Sequence, residues 1–238
     1  MKLTVVTFET SQCYLPGKQG ERLVAARKKT SSQSKPSYHH GDLRRALIEA
    51  SLALISEKGF SALTLREVAR RAGVTHAAPY RHFADKEALL AAVAEEGFRS
   101  MASEMRERMD TETRPTERLL ACGVAYVLFA VRHPAHFRVM FGPHFNKPSD
   151  HEEMSKEGTH SFGLLMQSII QGQQAGELRQ GEPLPLALMV CSQVHGLASL
   201  LVDHQLDRPG EDTPDAEQIA IFQTRLLFEG LRRPAQNV

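Results

Sequence analysis

Cationic and hydroxyl-bearing side chains are concentrated between positions 64 and 86 of the chain. Arginine and lysine neutralise phosphate charge, and hydroxyl groups hydrogen-bond to phosphate oxygens. The set consists of Thr64, Arg66, Arg70, Arg71, Thr75, Tyr80, Arg81 and Lys86. This combination predicts that the segment contacts a polyanion, and a nucleic acid duplex suits it best.

Two short helices joined by a tight turn are predicted to carry these side chains. Thr64 can cap the first helix, and Glu67 at its third position can reach back to complete a capping box. Gly73 ends that helix, because glycine tolerates the positive φ that is usual just past a helix end. Thr75 then offers its hydroxyl as the N-cap of the second helix. The pattern is that of a helix-turn-helix, and Pro79 should make its second helix short and irregular.

Three runs of residues in this region carry a family resemblance. They are Gly73-Val74-Thr75, Tyr80-Arg81-His82-Phe83 and Lys86-Glu87-Ala88-Leu89-Leu90. With the residues around them, from Gly41 to Leu90, they resemble the N-terminal domain of the TetR family of transcription regulators. Pro79 stands where that family usually has leucine or another helix former. The resemblance implies an all-α fold, with a three-helix helix-turn-helix domain followed by a C-terminal helical domain for ligand binding and dimerisation.

The resemblance also implies which residues contact double-stranded DNA. The residues expected at phosphates are Thr64, Thr75, Tyr80, His82 and Lys86. Those expected to face base edges are Arg66, His76, Ala77 and Ala78. Because the family binds DNA as a homodimer, the implied target is a palindromic operator.

Charge is distributed unevenly along the 238 residues, although the net charge is only +1. Residues 1–94 contain 15 Lys and Arg against 8 Asp and Glu, whereas residues 95–238 contain 14 against 20, so the two parts carry +7 and −6. This asymmetry confines the predicted DNA contact to the first part. We divide the chain into a flexible basic arm (1–37), a helix-turn-helix domain (38–85) and a helical regulatory domain (86–238). The arm either follows the DNA backbone or is solvated and disordered.

The stretch Leu184–Val202 is apolar on nearly every side and is about as long as a membrane-spanning helix. Gln193 and His195 lie in its middle, and all-round apolarity also marks a helix buried between a core and a partner. We therefore predict no membrane contact. Instead, this helix and the last one, from about Thr213 to Leu231, should form the dimer interface as a four-helix bundle.

Leu200 and Phe222 represent the apolar stripes of these two helices, and both are predicted to lie in the dimer interface. With 42% hydrophobic residues, the chain has ample material for the core that such helices also require.

Three further runs, Tyr126–Ala130, His133–Phe137 and Val194-His195-Gly196, resemble the C-terminal domain of a TetR subgroup named for Trp and His-Gly. The chain contains no tryptophan. By the spacing of that subgroup, Cys191 stands at the tryptophan position, which predicts extra volume beside His195.

An effector cavity is predicted where Met and Phe side chains recur on helices that surround such a cavity in the resembling family. Both residue types have adaptable surfaces that suit a small apolar or aromatic molecule. The set consists of Phe98, Met101, Met105, Phe129, Phe137, Met140, Phe141, Phe162, Met166 and His195. His195 is either the polar anchor for the ligand or a core histidine hydrogen-bonded to a carbonyl.

Enzyme chemistry has weaker support. A metal site is one hypothesis, because five histidines lie between positions 133 and 160, and His133 and His136 are three residues apart. However, no carboxylate or thiolate stands at a recurring ligand spacing. No nucleophile elbow or phosphate-binding glycine loop is present, and no cofactor is implied. The cysteines, Cys13, Cys122 and Cys191, indicate reduced, buried thiols of a cytoplasmic protein, and a redox sensor is the less favoured alternative.

The sequence thus favours a homodimeric repressor released from its operator by an effector. The alternatives are a DNA-binding regulator that has no ligand and, with less support, a helical metal-dependent enzyme that uses the His133 and His136 region.

Overall fold

The computed structural model describes residues 43–145, 150–207 and 215–232. Within these ranges the backbone forms α-helices and two short 3₁₀ segments, and it contains no strand. The helices are α1 (Leu43–Lys58), α2 (Leu65–Arg71), α3 (Lys86–Met109), α4 (Pro115–Arg132), α5 (Pro134–Phe141), α6 (Glu152–Gln174), α7 (Pro183–Val202) and α8 (Ala216–Leu231), and the 3₁₀ segments are Phe60–Ala62 and Pro79–Arg81. The all-α prediction is therefore confirmed, whereas the predicted arm at 1–37 lies outside the described residues.

Local sequence signals set several helix starts. Pro115, Pro134 and Pro183 occupy first helical positions, where a missing amide hydrogen costs nothing. The Asp85 carboxylate caps α3 by accepting a hydrogen bond from the Ala88 amide at 2.8 Å. The last helix was predicted to begin at about Thr213, but α8 begins at Ala216. Asp215 directly precedes it, and its carboxylate caps α8 by accepting a hydrogen bond from the Glu217 amide at 2.8 Å.

Helix α4 occupies the middle of the larger helical body and packs against α3, α6, α7 and α8. Its residues from Ala121 to Val127 are all buried. Gly123 permits the close approach of α8, since a β-carbon there would lie 2.9 Å from Cγ2 of Thr224. An apolar helix surrounded in this way contributes most of its side-chain area to the hydrophobic core.

The helix-turn-helix region shares this core. Leu47, Leu54, Val68 and Leu89 are fully buried there, and the buried apolar cluster continues without a break to Leu231 of α8. Helix α1 packs against both α3 and α5. The DNA-facing part of the chain is thus joined to the rest by packed side chains as well as by the backbone.

Helix α7 is the only described helix that is long and apolar enough to cross a membrane by itself, and a third of the span is buried. It packs along α4 and α8, as a core helix does. Large apolar side chains remain exposed on α7 and α8, namely Leu184, Leu188, Met189, Leu200, Phe222 and Leu226.

His136 of α5 is packed against α3 and carries an unusual proton affinity. Its Nε2 atom has no hydrogen-bond partner in the described part of the chain and lies 3.7 Å from Oε1 of Glu96. Burial, with a smaller contribution from His133, lowers the pKa of His136 to about 4.

We expect the protein to lose stability as the pH falls from 6.5 towards 4. In this window the unfolded chain binds a proton at His136 near its ordinary pKa of 6.5 and the folded chain does not, so protonation favours unfolding. The loss at pH 5 relative to pH 8 should be about 2 kcal/mol. Urea unfolding at the two pH values measures it. His136→Gln should reduce this loss, although His144 and His195, whose pKa values burial also lowers, retain their part of it. His76→Gln, at an exposed histidine, should leave the loss unchanged. An unchanged loss in His136→Gln would show that another group is responsible.

Candidate DNA-binding surface and effector cavity

Helix α2 begins as the sequence predicts but lacks half of the predicted capping box. The Thr64 hydroxyl accepts a hydrogen bond from the Glu67 amide at 3.1 Å. The Glu67 carboxylate does not return to Thr64. Instead it accepts from the Arg70 guanidinium at 2.6 and 2.9 Å and lies 3.8 Å from Nζ of Lys58. Hydrogen bonding to Arg70 lowers the pKa of Glu67, so the carboxylate stays charged.

The cations of this segment divide into two groups. Arg70 is paired with Glu67, and the Arg71 guanidinium is paired with Glu57 on α1. Arg66 and Arg81 are exposed and have no ion-pair or hydrogen-bond partner in the ranges that the structure covers. Unpaired cations are the ones available to neutralise phosphate, so Arg81 joins the candidate DNA contacts although only Arg66 was assigned from the resemblance.

The second element of the helix-turn-helix is short and irregular, as Pro79 predicts. Gly73 has a φ of 71°, and the chain then turns until the 3₁₀ segment begins at Pro79. The prediction that the Thr75 side chain caps this element is wrong. The residue before Pro79 is Ala78, which provides no side-chain cap, and the Thr75 carbonyl accepts from the Ala78 amide at 3.0 Å. The Thr75 hydroxyl has no partner among the described residues and is free to meet a phosphate.

Most side chains assigned to DNA are accessible. The exposed ones are Thr64, Arg66, Thr75, His76, Ala77, Tyr80, His82 and Lys86. Tyr80 is 60% exposed, which is high for a ring of its size. Ala78 differs, because it is half-buried and packs against the core. The structure therefore leaves Ala78 the least suited of the set to contact a base.

Lys86 occupies the first position of α3, next to its Asp85 cap. Its Nζ atom donates a hydrogen bond to the Phe60 carbonyl at 3.2 Å, and the side chain remains exposed. Unpaired backbone amides at a helix start attract anions, and an adjacent lysine strengthens that attraction. Phe60 thus holds Lys86 at a place where a phosphate can bind.

An apolar cavity of about 80 Å³ lies among α3, α4, α6 and α7. Five of the predicted ligand contacts line it, namely Phe98, Met101, Met105, Phe141 and Phe162. The other lining residues were not predicted as ligand contacts; they are Cys122, Gly123, Tyr126, Gly158, Ser161, Leu165, Val190, Cys191 and Val194. Gly123 and Gly158 gave no clear signal, because a glycine on an apolar helix face can equally admit a neighbouring helix, as Gly123 admits Thr224 of α8.

The other five predicted ligand contacts do not line this cavity. Phe129, Phe137 and Met140 are buried in the core, and Met166 is partly buried against it. Met140 fills the crossing of α3 and α5, where a β-carbon on Gly97 would lie 2.5 Å from its sulfur. His195 stands at a neighbouring cleft, beside Phe137 and Phe141.

His195 is hydrogen-bonded, but to a side chain and not to a carbonyl. Its Nδ1 atom lies 2.8 Å from the Tyr126 hydroxyl. Burial lowers the pKa of His195 and raises the pKa of Tyr126, so both groups are neutral at pH 7. Rings cluster around the pair, since the centroids of Phe141 and Phe137 lie 4.8 and 5.3 Å from that of His195.

The thiols on the cavity wall are unreactive. Burial raises the pKa of Cys122 to about 12 and also raises that of Cys191. A protonated thiol is a poor nucleophile and a poor metal ligand. Cys191 does border empty volume, at the position where the subgroup spacing places the missing tryptophan.

The metal-site alternative finds no support in the described residues, where no group of three His, Cys, Asp or Glu side chains could hold an ion. His133 is instead paired with Glu104, whose Oε1 lies 3.2 Å from its Nε2. Glu104 also lies 2.8 Å from the Arg132 guanidinium.

Two family models match the chain and together cover more than half of it. Residues 47–93 match the model of bacterial regulatory proteins of the tetR family, and residues 119–224 match the tetracyclin repressor-like C-terminal domain. The chain belongs to the TetR family. It is therefore a DNA-binding regulator of transcription and not an enzyme.

Individual proteins are also similar to this chain. An uncharacterised HTH-type transcriptional regulator from Haemophilus influenzae is 46% identical to this TetR-family chain over 71 residues, which are 28% of the chain and 35% of the relative. A Rhodococcus sp. RHA1 protein with unknown function is 30% identical, with a TM-score of 0.72, over 84% of this chain and 100% of its own. FadR from Bacillus subtilis, solved with stearoyl-CoA, has a TM-score of 0.66 at 17% identity over 79% and 99% of the two chains, which shows the fold alone.

Lys86→Ala should weaken the binding of this TetR-family regulator to DNA of every sequence by about tenfold and reduce the salt dependence by about one phosphate contact. The reason is that Lys86 neutralises a phosphate without reading a base. Fluorescence anisotropy on two unrelated duplexes over a range of salt concentrations measures both effects. Lys156→Ala, which removes an exposed lysine of α6, is the matched control and should change neither. Unchanged salt dependence in Lys86→Ala would exclude the phosphate role.

Proposed function

We propose that this TetR-family regulator is a homodimeric repressor, released from a palindromic operator when a small apolar or aromatic molecule occupies the cavity. The supporting observation is the course of α3. This helix begins at Lys86, on the DNA-facing surface, and carries Met101 and Met105 in the cavity wall. One rigid helix therefore connects the proposed ligand cavity with the proposed DNA-binding surface.

The length of α3 lets it act as a lever. Fifteen residues separate Lys86 from Met101, which at about 1.5 Å per residue corresponds to roughly 22 Å. In a dimer, the two recognition elements must stand about 34–36 Å apart to enter successive major grooves. A ligand that binds more tightly to the state in which α3 has moved lowers the affinity for DNA. The decrease cannot exceed the ratio of the ligand's affinities for the two states.

The cavity supports a ligand that reshapes the protein. A cavity of 150 Å³ is known to hold benzene, whereas this one measures about 80 Å³. A ring can enter only when flexible wall residues such as Met101, Met105 or Phe141 move. FadR from B. subtilis, which shares this fold, was solved in complex with stearoyl-CoA, and this supports the proposal of a ligand with an apolar part. A cavity that stays closed would instead suit the second candidate, a constitutive DNA-binding regulator.

Exposed apolar residues on α7 and α8 support the homodimer. Phe222 and Leu226 of α8 are 66% and 52% exposed, and α7, which packs against α8, also carries exposed leucines. Apolar patches of this kind mark interaction surfaces in soluble proteins. Pairing with the same helices of a second copy would bury them in a four-helix bundle. This use of α7 also accounts for its apolarity in a cytoplasmic protein that acts on DNA.

The proposal is tested by selecting DNA from a random pool with the purified protein. The selected sequences should be palindromic, with half-site centres about one helical turn apart. A library of small apolar and aromatic molecules is then added to the complex, and at least one should release the DNA and raise the melting temperature of the protein. Selection of a site without two-fold symmetry would overturn the dimer, and a complex that no apolar compound releases would favour the constitutive alternative.

Phe222→Arg or Leu200→Arg should convert the dimer into a monomer, because each places an unpaired charge in an apolar interface. Analytical ultracentrifugation measures the oligomeric state. Operator affinity should fall at least about a hundredfold, since each monomer holds only a half-site. Gln174→Arg, at an exposed position of α6 away from this face, should remain dimeric. A dimeric Phe222→Arg protein would place the interface elsewhere.

A further inference from the structure

A second recess adjoins the apolar cavity, and Phe141 lines both. This recess is a wider cleft of about 330 Å³, whose wall includes Phe60 from the helix-turn-helix region and His144, His195 and Ser199. Phe141 is 41% exposed although it packs on Phe98 and Tyr126 inside. Phe141 also contacts Phe137 and His195, with ring centroids 5.0 and 4.8 Å away, so its ring stands between the two spaces. Rotation of Phe141 would join them.

The cleft offers hydrogen bonds without net charge. The Arg138 guanidinium on its wall is already occupied, since it donates to the Val202 carbonyl at 2.6 Å and to the Asp203 carboxylate at 3.0 Å. Burial lowers the pKa of both His144 and His195, so these rings are neutral. Among the described residues, Nε2 of His195 and the Ser199 hydroxyl have no hydrogen-bond partner. These two groups are free to bind an uncharged oxygen atom of a ligand.

The two spaces differ in what they accept. The cavity wall is almost wholly apolar, and burying an oxygen there without a partner would cost several kcal/mol. The cleft supplies such partners, and the cation in its wall, Arg138, is already paired with Asp203 and cannot neutralise a carboxylate or phosphate. The charge of Lys86 acts on His144, but Lys86 is not among the residues that line the cleft. A molecule that occupies both must therefore be apolar at one end and polar but neutral at the other.

We propose that the effector is an elongated neutral molecule, with an aromatic or short alkyl body in the cavity and a hydroxyl or carbonyl oxygen bound by His195 and Ser199 in the cleft. This assignment rests on the proposed function of the cavity and specifies the chemical class of its ligand. Phe141 separates the two parts of the site and moves aside when the ligand binds.

The cleft also provides a direct route to the DNA-binding surface. The ring of Phe60 stacks on that of His144, with centroids 3.9 Å apart, and both line the cleft. The carbonyl of Phe60 is the group that holds Lys86. A ligand whose polar end reaches this stack would shift Phe60 and, with it, the hydrogen bond that positions Lys86.

Four probes that share one phenylbutyl body test the assignment: n-butylbenzene, 4-phenyl-1-butanol, 4-phenyl-2-butanone and 4-phenylbutyrate. The alcohol and the ketone should bind at least about tenfold more tightly than the hydrocarbon, because each gains a hydrogen bond in the cleft. The carboxylate should bind more weakly than the alcohol, because its charge loses water without gaining a cation. Isothermal titration calorimetry measures the affinities, and anisotropy of the selected operator measures release.

Two variants locate the polar end. Ser199→Ala and His195→Phe should each reduce the preference for the alcohol over butylbenzene severalfold or more and leave the affinity for butylbenzene nearly unchanged. Ser192→Ala, an exposed serine on the same helix whose hydroxyl is bonded to the Leu188 carbonyl, should keep the full preference. Retention of that preference in both Ser199→Ala and His195→Phe would overturn the assignment.

Equal binding of the hydrocarbon or the carboxylate would also overturn the assignment, as would no binding by either neutral probe. The proposed function fails by a different result, namely that the chain selects no palindromic DNA. Binding of the alcohol without release of DNA would uphold the ligand class and contradict the link through Phe60 to Lys86.

Discussion

The burial of α4 on nearly all sides is the constraint on which the other parts depend. Helices α3, α6, α7 and α8 all pack against it, and each must turn its apolar face inward to do so. At Gly123 the packing is so close that a single added carbon would collide with Thr224. Because α4 also forms part of the cavity wall, the space for a ligand exists only where these surrounding helices fail to fill the volume around α4.

Ion pairs within the protein determine which cationic side chains remain available to DNA. Arg70 and Arg71 contribute to the basic character of the sequence, yet both are engaged by carboxylates of the protein. These exposed pairs add little to stability but hold two side chains away from the DNA. The positive potential of the surface therefore depends on fewer residues than the composition suggests, with Arg66, Arg81 and Lys86 prominent among them.

The sequence predicted elements whose signals are local. The turn at Gly73 and the disruption by Pro79 both follow from side chains within a few residues of the feature. Contacts between distant residues were not predictable in this way. The partner of His195 is Tyr126, 69 residues earlier, and Asp203 neutralises Arg138 from another helix.

The residues that line the cavity also could not be predicted from local sequence patterns. Phe129 and Phe141 lie on apolar faces of α4 and α5, and no periodicity distinguishes the fully buried ring from the one at the cavity. The helical stripe reports that a side chain turns inward, but not whether atoms or empty space lie beyond it. Empty volume depends on what all the neighbours leave unfilled, and that is a property of the packed assembly.

Pro79 has a consequence for how an operator is recognised. Because the second element of the helix-turn-helix is a single 3₁₀ turn, few side chains project from it into a major groove, and His76 and Ala77 precede it in an irregular turn. If the operator is read by so few base contacts, the groove width and bendability of its DNA must carry much of the specificity. Natural operators would then resemble one another more in their flexible base-pair steps and A·T content than in the identity of individual bases.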